Sequence, residues 1–125
     1  MLYDTDMFIW IQRGNEKAAR LVEKDTDRML SIQSYMELLQ GARNKLQHKY
    51  VKDFVSEFEF SVLPLTENIG HRALIYVEEY ALSSNVRAGD AIIAATAVEN
   101  NVTLVSSNTR HFRAIKELQL KSFRP

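Results

Sequence analysis

The sequence contains no cysteine, only two prolines and only four glycines, and each shortage excludes a class of protein. Without cysteine there is no disulfide, no thiolate nucleophile and no cysteine zinc site, so a reducing cytoplasm is the expected location. Four isolated glycines leave no glycine-rich phosphate loop of the G-x-x-x-x-G-K-[ST] or G-x-G-x-x-G kind. With no linker composition anywhere, residues 1–125 are expected to form one domain.

Neither sign of charge is in excess, because 16 Lys and Arg balance 16 Asp and Glu. Overall charge therefore does not draw the chain to nucleic acid, and any RNA binding needs a local basic patch. The longest mostly apolar stretch, Ala91 to Val98, is far shorter than the ~20 residues of a membrane span. Acidic residues at the start of the chain are the reverse of an export signal, so we expect no membrane association.

Short apolar segments alternate with segments of helical periodicity along the whole chain. The pattern predicts strands at Met1–Tyr3, Met29–Gln33, Phe60–Leu65, Val102–Ser106 and Leu118–Phe123. It predicts helices at Met7–Gln12, Glu16–Lys24, Tyr35–Leu46, Tyr50–Phe58, from Thr66 to about Asn85 with Leu74 on the buried face, at Ala91–Glu99, and a short one from Thr109. This order is typical of an α/β domain with a central, mostly parallel five-stranded sheet and helices on both faces.

Polar side chains cluster at the predicted junctions between strands and helices. Asp4 and Asp6 follow the first strand, Glu37 follows the second, Asn108 follows the fourth, and Asp90 begins a helix. Ligands of parallel sheets bind outside the carboxyl ends of the strands, where these junctions meet. Several carboxylates in one cleft either take up protons or bind a cation, and hard oxygen ligands favour Mg²⁺ or Mn²⁺.

Each of these residues also has a purely structural interpretation. Ser34 to Glu37 reads as an S-x-x-E capping box, and Asp6 and Asn108 are ordinary N-cap residues. Asp90 at a helix start is favoured by the helix dipole. Asp4 is the hardest to explain structurally, because a charge at the end of a central strand costs free energy unless something pairs with it.

Four segments carry a family resemblance. They are Asp4-Thr5-Asp6, Ser34 to Gly41, Gly89 to Ala97, and Leu104 to Phe112, and together they resemble the PIN-domain ribonucleases, in particular the VapC-type toxins of toxin–antitoxin pairs. The resemblance covers essentially the whole chain. It implies a PIN-like fold, a cytoplasmic endoribonuclease that depends on Mg²⁺ or Mn²⁺, an RNA substrate, a cognate antitoxin protein and a homodimer.

The resemblance also assigns roles to individual residues. Asp4, Glu37 and Asp90 match the acidic metal-binding positions of the family, and Asp6 is a further candidate ligand. The fourth position of the catalytic set falls on Asn108, where family members often have a carboxylate. Because Asn108 offers only a neutral oxygen, we expect a weakened second metal site.

A basic segment near the end of the chain is the best candidate for contact with RNA phosphates. Between Thr109 and Pro125 there are five basic residues and one acidic residue, and Arg110, Arg113 and Lys116 are the predicted RNA-binding side chains. A solvated face or an antitoxin surface explains the same charges. Apolar surface for a second copy or an antitoxin is expected at Phe8–Ile11 and Tyr50–Phe60.

Two other functions fit parts of the sequence. Asp-x-Asp after a first strand also begins the haloacid-dehalogenase phosphatases, although Phe8 stands where that family has Thr or Val. The missing fourth carboxylate fits a PIN-like scaffold that has lost catalysis and binds RNA or a protein. Uptake of Mg²⁺ or Mn²⁺ distinguishes the nuclease from the scaffold. Rapid hydrolysis of a small phosphoester, together with no cleavage of RNA, would instead indicate the phosphatase.

Overall fold

A single parallel sheet organises the molecule. The computed structural model describes all 125 residues. Its elements are β1 (Leu2–Tyr3), α1 (Thr5–Gln12), α2 (Glu16–Lys24), β2 (Met29–Ser31), α3 (Ile32–Gly41), α4 (Lys45–Glu57), β3 (Ser61–Leu63), α5 (Glu67–Ser84), α6 (Ala88–Glu99), β4 (Leu104–Ser106), a 3₁₀ turn at Thr109–His111 and β5 (Leu120–Ser122). The strands lie in the order β3-β2-β1-β4-β5 and all pairs are parallel, which places β1 at the centre.

Alternation along the strands divides the core into two layers. Leu2 and Leu104 belong to the apolar cluster under α5 and α6, whereas their neighbours Tyr3 and Val105 belong to the cluster under α1, α2 and α4. Successive strand side chains point to opposite faces of a sheet, so helices must cover both faces. The predicted α/β class and the five-stranded sheet are confirmed, and the sheet is entirely rather than mostly parallel.

Asparagine and threonine side chains begin the helices that frame the sheet. Asn15, Asn44 and Thr66 each accept a hydrogen bond from a backbone N–H in the first turn of α2, α4 and α5. Asn85 ends α5 in the left-handed region, with φ of 55°. These are the caps that local sequence chemistry favours, so the helix starts follow from residue type.

Several boundaries and one buried face differ from the sequence prediction, and the first of these is that β2 ends at Ser31 instead of Gln33, so that α3 begins at Ile32 instead of Tyr35. The predicted helix Tyr35–Leu46 is two helices, because α3 ends at Gly41 and Asn44 caps a new helix. Leu46 consequently lies on α4 and is 77% exposed. Leu74 is 57% exposed, since α5 buries Ile69, Ala73 and Tyr76 instead. No helix combines the length and the apolar character that crossing a membrane requires.

Candidate active site at the carboxyl edge of the sheet

Asp4 lies at the carboxyl end of the central strand and is buried, with 7% of its surface exposed. Its Oδ1 accepts a hydrogen bond from the Thr5 N–H at 2.8 Å, so Asp4, and not Asp6, is the N-cap of α1. Its Oδ2 accepts from the Ser106 hydroxyl at 2.7 Å, at the end of the neighbouring strand β4. Two donors partly replace the water that the carboxylate lost on burial.

The pKa of Asp4 is raised from 3.8 to about 7. Burial is the main cause, and the nearby carboxylates of Asp6 and then Asp90 raise it further, against the hydrogen bonds from Ser106 and Thr5. Asp6 and Asp90 therefore lie close enough to Asp4 to act on it electrostatically at this edge. Without a cation, Asp4 carries its charge only part of the time at neutral pH.

Asp6, in the first turn of α1, binds the loop that follows β4. Its Oδ2 accepts from the Ser107 N–H at 3.0 Å, from the Asn108 N–H at 3.1 Å and from the Ser107 hydroxyl. Its Oδ1 is buried and has no hydrogen-bond partner. The carboxylate is thus held by one oxygen while the other stays without a donor.

Glu37 lies more than one turn inside α3, so the predicted capping box is wrong. The N-cap of α3 is Ser31, whose side chain accepts from the Ser34 N–H at 3.0 Å, and Ser34 is already helical. Glu37 Oε1 instead accepts from the Thr5 hydroxyl at 3.0 Å. The structural explanation for Glu37 is therefore removed, and the side chain is linked to the residue that follows Asp4.

Gly89 brings the start of α6 close to Glu37. A Cβ atom at Gly89 would lie 3.3 Å from Gln33 Nε2 and 3.7 Å from Glu37 Oε2. The next residue, Asp90, accepts a long hydrogen bond of 3.4 Å from the Arg87 N–H, so its expected role at a helix start is confirmed. One long hydrogen bond leaves most of the acceptor capacity of the Asp90 carboxylate free.

Asn108 is exposed at the end of the β4 loop. It is the N-cap of the 3₁₀ turn, but its side chain makes no capping hydrogen bond, so the structural explanation for this amide fails. Its backbone N–H reaches both Asp6 Oδ2 and, at 3.0 Å, Ser106 Oγ. These bonds hold the Asn108 backbone at the carboxyl edge of the sheet, while its side-chain amide makes no capping hydrogen bond.

The donor chemistry of this edge fits a hard divalent cation, whereas its present conformation is open. Carboxylate and amide oxygens are the ligands that Mg²⁺ and Mn²⁺ prefer, and the buried Asp6 Oδ1 lacks any protein donor. No three acidic or histidine side chains are drawn together closely enough to enclose a metal ion. A common ion for Asp4, Glu37 and Asp90 requires their side chains to turn toward one another, and it stays a prediction.

The predicted RNA-binding residues lie in two places. Arg110 and Arg113 are exposed in and just after the 3₁₀ turn, directly beyond Asn108, and Arg113 donates to Thr109 Oγ1 at 3.2 Å. Lys116 lies in a shallow groove that also includes Ile75 and Glu79 of α5. The first two arginines follow Asn108 closely in the sequence, Lys116 lines the groove against α5, and contact of all three with RNA stays a prediction.

Sequence reasoning assigned no role to the hydroxyl groups that hold the acidic side chains. The hydroxyl of Ser106 donates a hydrogen bond to Asp4, that of Ser107 to Asp6, and that of Thr5 to Glu37. A Ser-Ser pair at the carboxyl end of a buried strand, here Ser106 within β4 and Ser107 directly after it, is an available signal, because small polar residues there lie at the edge of the sheet. Trp10, whose indole N–H donates to Ser107 Oγ at 3.0 Å, carried no such signal.

Comparisons with known proteins agree with this architecture. The PIN domain family matches residues 1–118. Ribonuclease VapC10 of Mycobacterium tuberculosis is 32% identical over 123 residues, which cover 95% of this chain and 90% of that protein. A toxin-antitoxin complex from Klebsiella pneumoniae contains a similar chain, with a TM-score of 0.78, 25% identity and coverage of 94% and 93%. The DNA-bound VapBC structure from Salmonella typhimurium matches with a TM-score of 0.79, 23% identity and coverage of 97% and 96%.

Proposed function

Because this chain belongs to the PIN domain family, we propose that it is an endoribonuclease toxin that hydrolyses RNA phosphodiester bonds with the help of Mg²⁺ or Mn²⁺. The observation that carries the proposal is the buried Asp4 carboxyl at the end of the central strand, with Asp6 and Asp90 near enough to raise its pKa. Burying mutually repelling carboxylates costs free energy that a bound cation would offset. The similarity to ribonuclease VapC10 supports RNA as the substrate.

Asp4, Glu37 and Asp90 would hold the ion, with Asp6 as a further carboxylate and Asn108 as a neutral oxygen donor. When bound, such an ion lowers the pKa of a water ligand and offsets charge on the phosphate oxygens. Asp4 gives up its proton to bind, since the pKa near 7 belongs to the metal-free carboxyl.

The remaining side chains orient these groups and the substrate. The Thr5 hydroxyl directs Glu37 Oε1. Glu37 and Asp90 accept one hydrogen bond each, so both carboxylates have the freedom to turn toward Asp4. Arg110 and Arg113, exposed beyond Asn108, would contact the phosphates that flank the cleaved bond.

The test is cleavage of mixed RNA with and without EDTA, with Mg²⁺ or Mn²⁺ restored, followed by mapping of the 5′ ends. We expect cleavage that EDTA abolishes and that Glu37→Gln and Asp90→Asn each remove. Asp27→Asn, the same change as Asp90→Asn at an exposed carboxylate before β2, at the opposite end of the strands, is the matched control. Full activity of Asp90→Asn contradicts its assignment as a ligand, and metal-independent cleavage contradicts the proposal.

A catalytically inactive scaffold is the second candidate. It is favoured by the amide at Asn108 and by the open arrangement of the acidic side chains. Isothermal titration with Mg²⁺ or Mn²⁺ decides between the two, because a scaffold takes up neither ion near millimolar concentration. Family membership leaves the haloacid-dehalogenase alternative without support.

We further propose that an antitoxin protein covers a groove beside the site that is lined by both apolar and polar side chains. The groove is lined by Thr5, Glu37, Leu38 and Tyr50 together with Ile9, of which Tyr50 is 50% and Ile9 38% exposed. The expectation of apolar surface in these segments is supported, whereas Phe8 is buried. Ile9→Glu and Tyr50→Glu are expected to release a co-expressed antitoxin, and Lys24→Glu on α2 serves as the control.

Homodimerisation and a cytoplasmic location complete the proposal. Three exposed apolar side chains on α5 add candidate surface for a second copy: Leu74, Ile75 and Leu82. Light scattering is expected to give twice the 14.4 kDa of one chain. Cell fractionation checks the location, and a monomer or a membrane-bound fraction contradicts the corresponding part.

A further inference from the structure

A chain of hydrogen bonds joins Trp10 to Asp6 by way of the β4 loop. Trp10 lies one helical turn after Asp6 on α1, and its indole N–H donates to Ser107 Oγ at 3.0 Å. Ser107 Oγ is also in hydrogen-bond contact with Asp6 Oδ2. The three side chains therefore form one relay across two segments that are about a hundred residues apart in the sequence.

The chemistry of indole sets the direction of this relay. An indole nitrogen only donates, so Ser107 Oγ must accept from Trp10. The Asp6 carboxylate only accepts, so the single hydroxyl hydrogen of Ser107 is donated to Asp6 Oδ2. Trp10 thereby holds Ser107 Oγ in place between the indole N–H and Asp6 Oδ2.

The relay and two backbone N–H groups all donate to the same carboxylate oxygen of Asp6, Oδ2. Oδ2 receives the Ser107 hydroxyl and the N–H groups of Ser107 and Asn108, while Oδ1 is buried and receives none. A carboxylate with three donors on one oxygen is fixed in rotation and keeps the other oxygen for a different partner. The same bonds fix the backbone that presents Asn108.

Trp10 is itself well held. It lies partly buried on α1, and the Arg13 guanidinium lies 5.7 Å from the centre of its ring. Its backbone carbonyl accepts from the Asn15 N–H at 3.0 Å, at the turn into α2. The donor end of the relay is therefore anchored on two helices.

We propose that Trp10 is a positioning residue: acting through Ser107, it orients the Asp6 carboxylate and the Asn108 segment for cation binding. The identity of the bound ion rests on the proposed function above. Groups that orient metal ligands typically change affinity by about 10- to 100-fold when they are removed.

The relay is testable without any metal, because Trp10 is the only tryptophan and yields a single indole N–H signal in a ¹⁵N spectrum. In EDTA, Trp10→Phe is expected to shift the backbone amide signals of Ser107 and Asn108, and Ser107→Ala is expected to shift the indole signal. Ser107→Thr keeps the hydroxyl and is expected to restore the wild-type positions. Ser83→Ala, which removes an exposed hydroxyl on α5, is the control.

Cation affinity then tests the positioning role, by isothermal titration with Mn²⁺. We expect Trp10→Phe and Ser107→Ala each to weaken binding about 10-fold, the double variant to be no weaker than either single one, and Ser107→Thr to bind like wild type. Non-additivity is expected because both changes break one relay.

Three results overturn the inference. In the first, the Ser107 and Asn108 signals stay in place in Trp10→Phe. In the second, the two single changes combine additively. In the third, Trp10→Phe alters the KM for RNA while the Mn²⁺ affinity stays that of wild type, which indicates direct contact with RNA. If the relay signals move as expected but wild type binds no cation, the proposed function has failed and the positioning role fails with it, with the relay itself intact.

Discussion

Replacing Asp4 by asparagine should stabilise the metal-free protein at alkaline pH, although the side chain is buried and hydrogen-bonded. The Asn side chain has the same shape, and its Oδ1 can still accept from the Thr5 N–H, as Asp4 does at 2.8 Å. Its Nδ2 would donate to Ser106 Oγ, whose hydroxyl hydrogen then turns to Asp6 Oδ2, 3.5 Å away. The variant therefore removes a charge while each polar group keeps a partner.

The size of the effect follows from the pKa of Asp4. The folded protein holds this proton up to about pH 7, whereas the unfolded chain releases it near 3.8. The unfolded state therefore binds fewer protons between these values, so the free energy of unfolding falls as pH rises through this window and is lowest above it. The difference between the folded and unfolded pKa values of Asp4 corresponds to roughly 4 kcal/mol of unfolding free energy. This is the upper limit of the stability that Asp4→Asn can recover at pH 8.5.

Urea unfolding in EDTA at pH 5 and pH 8.5 measures this effect. Asp4→Asn should exceed wild type by on the order of 2–4 kcal/mol at pH 8.5 and by much less at pH 5. Asp27→Asn, at an exposed carboxylate, should stay within about 0.5 kcal/mol of wild type at both values. Adding Mn²⁺ should stabilise wild type and leave Asp4→Asn unchanged.

Two outcomes would refute this reasoning. If Asp4→Asn is less stable than wild type at pH 8.5, the hydrogen bonds of the carboxylate outweigh the cost of its burial and its repulsion by Asp6 and Asp90. If wild type and variant lose stability equally between pH 5 and 8.5, the Asp4 proton is not the group that titrates.

Three further predictions concern the same edge. Glu37→Gln and Asp90→Asn should each lower RNA cleavage by on the order of 100-fold or more with an unchanged circular dichroism spectrum, and a cleavage rate near wild type would contradict either assignment. Asn108→Asp should strengthen Mn²⁺ binding roughly 10-fold in isothermal titration, because it adds a charged ligand, and weaker binding would place that side chain outside the site. Gly89→Ala should displace the Gln33 side chain, because its methyl group would lie 3.3 Å from Gln33 Nε2, and should lower cleavage if that displacement reaches Glu37, whose Oε2 would lie 3.7 Å from the same methyl group. Unchanged cleavage in that variant would show that Glu37 tolerates the displacement.

Topology explains why the position of the site could be predicted from the sequence. Parallel strands send their carboxyl ends to one edge, so Asp4 after β1 and Asn108 after β4 had to lie on the same side once the strands were predicted to be parallel. The buried state of Asp4 follows as well, since β1 reads as a central strand. These inferences need only the period of the apolar residues and the direction of the chain.

The hydrogen-bond pattern could not be predicted in the same way. Ser34 and Glu37 have the spacing of a capping box. Ser31, three residues earlier and the last residue of β2, has the same capping chemistry. Because β2 ends at Ser31, this residue and not Ser34 is the N-cap of α3. Local spacing also cannot show that Asp6 binds Ser107, since that contact depends on how a loop far along the sequence approaches α1. A capping signal lies within a few residues of sequence, whereas the roles of Glu37 and Asp6 depend on contacts between distant segments.

The carboxyl edge of the sheet carries more acidic side chains than helix capping requires, and this costs the fold free energy. Ordinary capping needs one short polar side chain per helix start, and Asp4 fulfils that role for α1. Asp6 and Glu37 add charge that the helices do not require, and their neighbourhood supplies hydroxyl and amide donors but no Lys or Arg ion pair. Ion pairs of this chain lie elsewhere, as for Arg72 with Glu99 and Glu117. Because no Lys or Arg forms an ion pair with Asp4, Asp6, Glu37 or Asp90, we expect their charge to be balanced from solution, and a divalent cation is the partner that suits oxygen donors.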